Sequence, residues 1–296
     1  MIIAEKMDKL LQQETVEMIL YKKANPQLSM LDVFETQNLD GKKHFAFATK
    51  RKSTEDSIME GILPEPVELD EESEFPQVQI AGIEEESGNV SKLGFEVKFS
   101  NELVKSDTNL AFVKNTLSDM GYAMGRVANR HIYQTIIANA DVPTLPTPVT
   151  SWTDPDNEDI DTNIKEIQRN FVRQSGYNYK LTNMLVSQES YWGAEDYYEA
   201  VKPQGFDPNN VRGSSLTGIY ELESGLIGYD ASVNSGILYY NVDSEDNTWN
   251  EQTGSFINVN RVDQDDEHPK YLKFQMYMTI GAAITEPRAW IYQEGI

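Results

Sequence analysis

One helical pattern of unusual length constrains this fold more than any other feature. In "DTNLAFVKNTLSDMGYAMGRVANRHIYQTIIANA" (107–140), Leu110, Val113, Leu117, Met120, Met124, Val127, His131 and Thr135 recur at steps of three and four. Asp107 is placed to cap the N-terminus. At ~1.5 Å per residue such a helix is ~50 Å long. That exceeds the width of a small domain, so the helix is expected to be a beam shared by several layers. Gly121 and Gly125 predict close approach of another backbone, since a charged helix does not pack in lipid. Arg126 and Arg130 are expected to form salt bridges, and His131 to pack on the buried stripe.

Upstream, residues 1 to about 24 read as an amphipathic helix with Met7, Leu10, Leu11, Glu14 and Met18 on one side, ended by Asn25-Pro26. "KKHFAFATKRK" and "SKLGFEVKFS" alternate like strands, the second with Leu93, Phe95, Val97 and Phe99 on one face. Between them, Ser53–Ser87 holds no Lys or Arg and is dense in Asp and Glu, with Pro64, Pro66 and Pro76 breaking any helix. Two strands flanking an acidic excursion predict an extended hairpin, and loops of this length are usually functional or disordered. A protruding arm on a neighbouring subunit is favoured over a solvated loop.

Downstream, a Pro-rich connector (141–152) leads to a second helix with Asp154 as cap and Pro155 at its first position. Ile160, Ile164, Ile167 and Phe171 are its expected buried face. "TNMLVSQESYWGAEDYYEAV" predicts a strand, a Ser187 cap and a short helix. "GSSLTGIYELESGLIGYDASVNSGILYYNV" predicts short strands with Gly turns. "YLKFQMYMTIGAAITEPRAWIYQ" predicts a long strand, broken at Glu286-Pro287, then a short apolar strand.

Charge and composition narrow the function. The 296 residues carry 25 basic and 48 acidic side chains, a formal net charge of -23. A broad phosphate-binding face is therefore not expected. Mean hydropathy is -0.52, and no run approaches the ~18 apolar residues of a membrane span. With no cysteine, disulfides, thiolate nucleophiles and Cys-ligated metals are excluded. Lys outnumbers Arg 17 to 8, which argues against a strict halophile.

No motif for chemistry emerges. Phosphate-binding loops, dinucleotide fingerprints and nucleophile elbows are absent from the sequence. His44, His131 and His268 fall on separate elements, without metal-ligand spacing. "DPDNEDIDTNIK" lacks the glycine of a calcium loop and has Lys165 where a bidentate Glu belongs, so helix capping is the better reading. Trp152, Trp192, Trp249 and Trp290 could stack on sugars but are expected to pack in cores or interfaces. The sequon at Asn89 carries little weight without a secretory signal. No catalytic, cofactor-binding or metal-binding residue is assigned, and no cofactor is expected.

The order of elements resembles the major capsid proteins of tailed double-stranded DNA viruses, over nearly the whole chain. "GFEVKFSNELVKSDTNLAFVKN…" resembles that family's extended loop returning into its spine helix. "TNMLVSQESYWGAEDY" is similar to its axial-domain strand and helix, and "IGYDASVNSGILYYN" to the following hairpin. "YLKFQMYMTIGAAITEPRAWIY" is similar to its C-terminal strand with the turn Pro287-Arg288-Ala289.

The resemblance implies an α+β, HK97-like fold divided into an N-terminal arm (1–41), an extended loop (42–100), a peripheral domain (101–145 and 258–285) and an axial domain (146–257 and 286–296). It implies a non-enzymatic virion protein that assembles in the host cytoplasm into hexamers and pentamers, forming an icosahedral head around double-stranded DNA without sequence-specific binding. The arm begins almost at once, so a separate scaffolding protein is the expected partner, beside a portal and cement proteins. Lys50 and Lys52 lie near the position of the family's cross-linking lysine, but nothing singles them out and no cross-link is expected.

Three alternatives compete with this reading. An encapsulin-like compartment shell shares the fold and encloses protein cargo. A carbohydrate-active or metal-dependent enzyme would depend on acids such as Asp156 or Asp161. An adhesin or tail component would form rings without closed shells.

Overall fold

The computed structural model describes residues 11, 13–24, 33–50, 83–100, 110–154, 159–175, 179–201, 206–241, 257–262 and 271–296. In chain order its elements are α1 (Gln13–Ala24), β1 (Phe34–Asn38), β2 (His44–Lys50), β3 (Ile83–Asn89), β4 (Ser91–Ser100), α2 (Leu110–Ala138), β5 (Thr144–Leu145), α3 (Ile160–Gln174), β6 (Asn183–Ser187), α4 (Gln188–Val201), β7 (Ser215–Ile219), β8 (Leu226–Tyr229), β9 (Gly236–Asn241), β10 (Ile257–Val262), β11 (Tyr271–Ile284) and β12 (Trp290–Gln293). They form two compact units. One comprises 1–45, 87–135 and 236–283, and the other 46–86, 136–235 and 284–296.

The first unit is organised by β11. β4 and β10 pair antiparallel with it, β9 adjoins it, and β1 runs parallel to β9. The register sets Phe274 opposite Val97, Met276 opposite Phe95 and Met278 opposite Leu93. Large apolar side chains thus meet across the strands, as the period-two reading requires. Phe274, Met276, Met278 and Ile280 are buried, while Lys92, Gly94, Glu96 and Lys98 on the opposite face of β4 are exposed.

The long helix is present as α2, 29 residues, and Asp107 lies outside the described residues. Its buried line is not the predicted one beyond Met124. Val113, Leu117 and Met124 are buried as expected, but the line continues through Ala128, Ile132 and Ile136, while Val127 is exposed and His131 half-buried. Repeated four-residue steps advance by ~40° each around a 3.6-residue helix, so the buried line winds around the beam. Gly121 is buried against α1, where a Cβ would stand 2.7 Å from the Leu20 carbonyl oxygen and 2.8 Å from Lys23 Cβ. α1 buries Val16, Leu20 and Ala24 with the preceding Leu11, whereas Met18 is half-buried. Met7 and Leu10 lie outside the described residues.

Strand pairing departs from the expected hairpin. The partner of β2 is β3, inside the acidic stretch, and β4 pairs with β11 instead. Alternation identifies a strand but not its partner. The central excursion, residues 51–82, lies outside the described residues.

The second unit is a five-stranded sheet in the order β5-β12-β8-β6-β7. Ile160, Ile164, Ile167 and Phe171 of α3 are its buried face, as predicted. They share one core with Ala194 and Tyr198 of α4 and with Met184 and Val186 of β6. Burial of such side chains contributes ~1.5–3 kcal/mol each. α3 begins at Ile160 with Asp159 at its boundary. Asp159, not Asp154, therefore stands at its cap position. Ser187 does cap α4, its Oγ accepting from Ser190 N–H at 3.2 Å. The connector holds a two-residue strand, β5, parallel to β12. β8 and β9 belong to different sheets, so "IGYDASVNSGILYYN" is not a hairpin.

Candidate assembly surfaces

The residues weighed for chemistry are dispersed. His44 Nδ1 bonds Asn89 Oδ1, so the sequon amide is engaged at the root of the β2–β3 hairpin. Burial holds the His131 pKa below the usual imidazole value. His268, Asp156, Trp249 and Lys52 lie outside the described residues. Among the described residues, no three His, Asp or Glu side chains are grouped to hold a metal, and no helix is long and apolar enough to cross a membrane.

Asp161 is committed to structure. Arg212 grips it with two nitrogens, Nε at 2.7 Å, and Tyr198 Oη donates to it at 3.0 Å. Arg212 and Gly213 both have positive φ, +53° and +89°, in the tight turn from Val211 to Ser214. Burial and the Asp161 charge push the Tyr198 phenol above its ordinary pKa. Trp152 and Trp290 are core residues, and Trp152 Nε1 donates to Asn163 Oδ1 at 2.9 Å.

A groove of about 390 Å³ lies between the connector and α3, and its lining carboxylates are Asp159 and Glu166.

On the exposed face of the first sheet, Glu96 of β4 takes Lys273 Nζ at 2.6 Å and Lys98 Nζ at 3.3 Å, with Gln275 Nε2 at 3.3 Å. The Lys273 hydrogen bond is the main reason the Glu96 pKa falls to about 2. Beside them Lys92 Nζ sits 3.6 Å from the Tyr277 ring centroid. The "KLGFEVK" alternation already placed these charges on one face, but their partner strand was not legible.

At the hairpin root, Phe45 is buried and stacks on Tyr239 with centroids 4.0 Å apart. Gly88 and Gly281 make the slot, since a Cβ at either would stand 2.4 or 2.6 Å from the ring. Nothing in the sequence alone joins these four positions, which are 236 residues apart at the extremes (281 − 45).

Large apolar side chains remain exposed on both units: Phe112, Tyr122 and Val127 on α2, Trp192 and Val201 on α4, and Tyr220 after β7. Residues 83–293 match the family described as phage capsid protein. The chain belongs to that family. The capsid protein is structural, has the HK97-like fold and resides in the virion shell that its copies build.

Solved structures carry the same fold at low identity. The virus-like particle from Pyrococcus furiosus aligns with a TM-score of 0.62 at 11% identity, covering 95% of this chain and 98% of that one. The capsid of Myoviridae phage XM1 aligns at 0.55 and 10% identity, covering 91% and 92%. The capsid of a native GTA particle aligns at 0.57 and 11% identity, covering 90% of each. Comparison with curated protein sequences gives no match.

Proposed function

We propose that the capsid protein is the major subunit of an icosahedral head, arranged as hexamers and pentamers around double-stranded DNA. The family match over residues 83–293 carries this reading. In it, the five-stranded sheet with α3 and α4 supplies the axial domain, α2 and the β11 sheet the peripheral domain, and β2–β3 the base of an extended loop reaching a neighbouring copy. The net charge of -23 supports a loosely held genome, because a chain this acidic offers few cations to replace counterions on phosphate. It also requires screening between copies. A scaffolding protein, a portal and cement proteins are the proposed partners, and the host cytoplasm is the proposed site of assembly.

The test is negative-stain microscopy of the purified full chain across a salt series, with and without divalent cations. Closed shells, or rings of five and six copies, are expected at moderate salt, with dissociation in very low salt plus chelator. A uniform monomer at every salt concentration would sink the reading. Particles filled with protein cargo instead of DNA when isolated from cells would favour the compartment shell.

A further inference from the structure

Helices α3 and α4 cover the same face of the second sheet. Their buried residues share one core with Met184 and Val186, which alternate on β6 and so point to one side. Each helix turns a charged ridge away from that core. On α3 it is Lys165, Arg169 and Arg173, at four-residue steps, all exposed. On α4 it is Glu189, Asp196 and Glu199, with Trp192 among them, 50% exposed. At ~1.5 Å per residue the ridges are ~12 and ~15 Å long.

Two observations make these ridges more than solvated faces. Among the described residues, none of the six charged side chains has an ion-pair partner. Three cations in a row without a partner stand out where carboxylates outnumber bases 48 to 25. The α3 ridge also borders an open concavity lined by Val172, Gln168 and Glu166 beside Lys165 and Arg169. An indole fits such a surface by apolar contact and by cation–π attraction to a guanidinium.

We propose that the outer faces of α3 and α4 form a copy-to-copy contact, with the basic ridge of one copy on the acidic ridge of the next and Trp192 seated against the α3 concavity. This inference rests on the shell reading and adds the residues that join neighbouring copies. A second copy is the occupant because it brings both ridges at matching length, and rotating or shifting it sets each ridge against its opposite.

The experiment uses the full chain at moderate salt. One variant carries Lys165→Glu, Arg169→Glu and Arg173→Glu, and another Glu189→Lys, Asp196→Lys and Glu199→Lys. The third combines all six and keeps the wild-type net charge, because three reversals of each sign cancel. Sedimentation and microscopy read assembly, and circular dichroism reads folding. Each single-ridge variant is expected to stay folded and unassembled, and the six-fold variant to recover shells.

A single-ridge variant that assembles like wild type, or a folded six-fold variant that does not recover, overturns the contact. If a reversal prevents folding, Trp192→Ala and the milder triple change to Gln on α3 decide. Each is expected to raise the subunit concentration needed for assembly about tenfold, and no change overturns the proposal. Wild-type protein that never assembles would instead remove the shell reading itself.

Discussion

Gly121 of α2 lies directly beneath Leu20 of α1, so close that a Cβ there would stand 2.7 Å from the Leu20 carbonyl oxygen. The obstruction is backbone, which cannot rotate away as a side chain can. Gly121→Ala gains ~1 kcal/mol of helix propensity but overpacks a closed contact at a cost of ~1–3 kcal/mol. Net destabilisation is expected, larger for Gly121→Val, with α1 released to protease before the rest unfolds. Thermal melts and limited proteolysis check this. A stabilised Gly121→Ala would show that the helices separate easily.

The Glu96 carboxylate, held at a pKa of about 2 chiefly by Lys273, makes a pH prediction with a definite sign. A depressed carboxylate favours the folded state while the group is ionised. The contribution is fully present above the ordinary value of 4.5 and is lost as pH falls toward 2. Wild type and Glu96→Gln should therefore differ in melting temperature at pH 7 and converge between pH 4.5 and 2. The pair is on the surface, so 1 M salt should shrink the difference. A difference independent of pH would assign the effect to packing.

How much of this was legible in the sequence depends on the range of the interaction. The α3 face, the Ser187 cap, the β4 and β11 alternation and the break at Glu286-Pro287 are local patterns, and all are present as read. Apart from the start of α3, the errors lie where a partner or a buried face must be chosen. β2 takes β3 rather than β4, and β8 and β9 enter different sheets, because alternation sets a strand's faces and not its neighbours. The late turns of α2 bury Ala128 and Ile132 instead of Val127 and His131, because the surroundings select the face on a helix with apolar residues all around. The ridges on α3 and α4 were present as spacing, but their significance depends on the absence of nearby partners.

Phe45 supplies a third prediction. Its ring fills a slot floored by Gly88 and Gly281 and stacks on Tyr239. Phe45→Ala should cost ~3–5 kcal/mol in urea unfolding of the unassembled subunit, part of it the stacking contact of ~0.5–1.5 kcal/mol. Gly281→Ala should destabilise as well, since its Cβ enters the ring position. A loss below ~1 kcal/mol in Phe45→Ala would show that the ring is not seated there.

The buried pair Glu286–Arg288 separates charge compensation from net stabilisation. Arg288 Nε donates to Glu286 Oε1 at 2.8 Å, and both side chains are at least nine-tenths buried. Burial, followed by the Glu286 charge, pushes the Tyr179 phenol up to about 12. Glu286→Gln leaves a buried guanidinium without its counter-charge and should cost ~3–5 kcal/mol. Replacing both residues with apolar side chains of similar volume removes both desolvation penalties. The double variant Glu286→Leu with Arg288→Met is therefore expected to be more stable than Glu286→Gln alone. With the single variants Glu286→Leu and Arg288→Met the set closes a double-mutant cycle in urea. Costs that simply add would mean that the two charges do not compensate each other in the folded subunit.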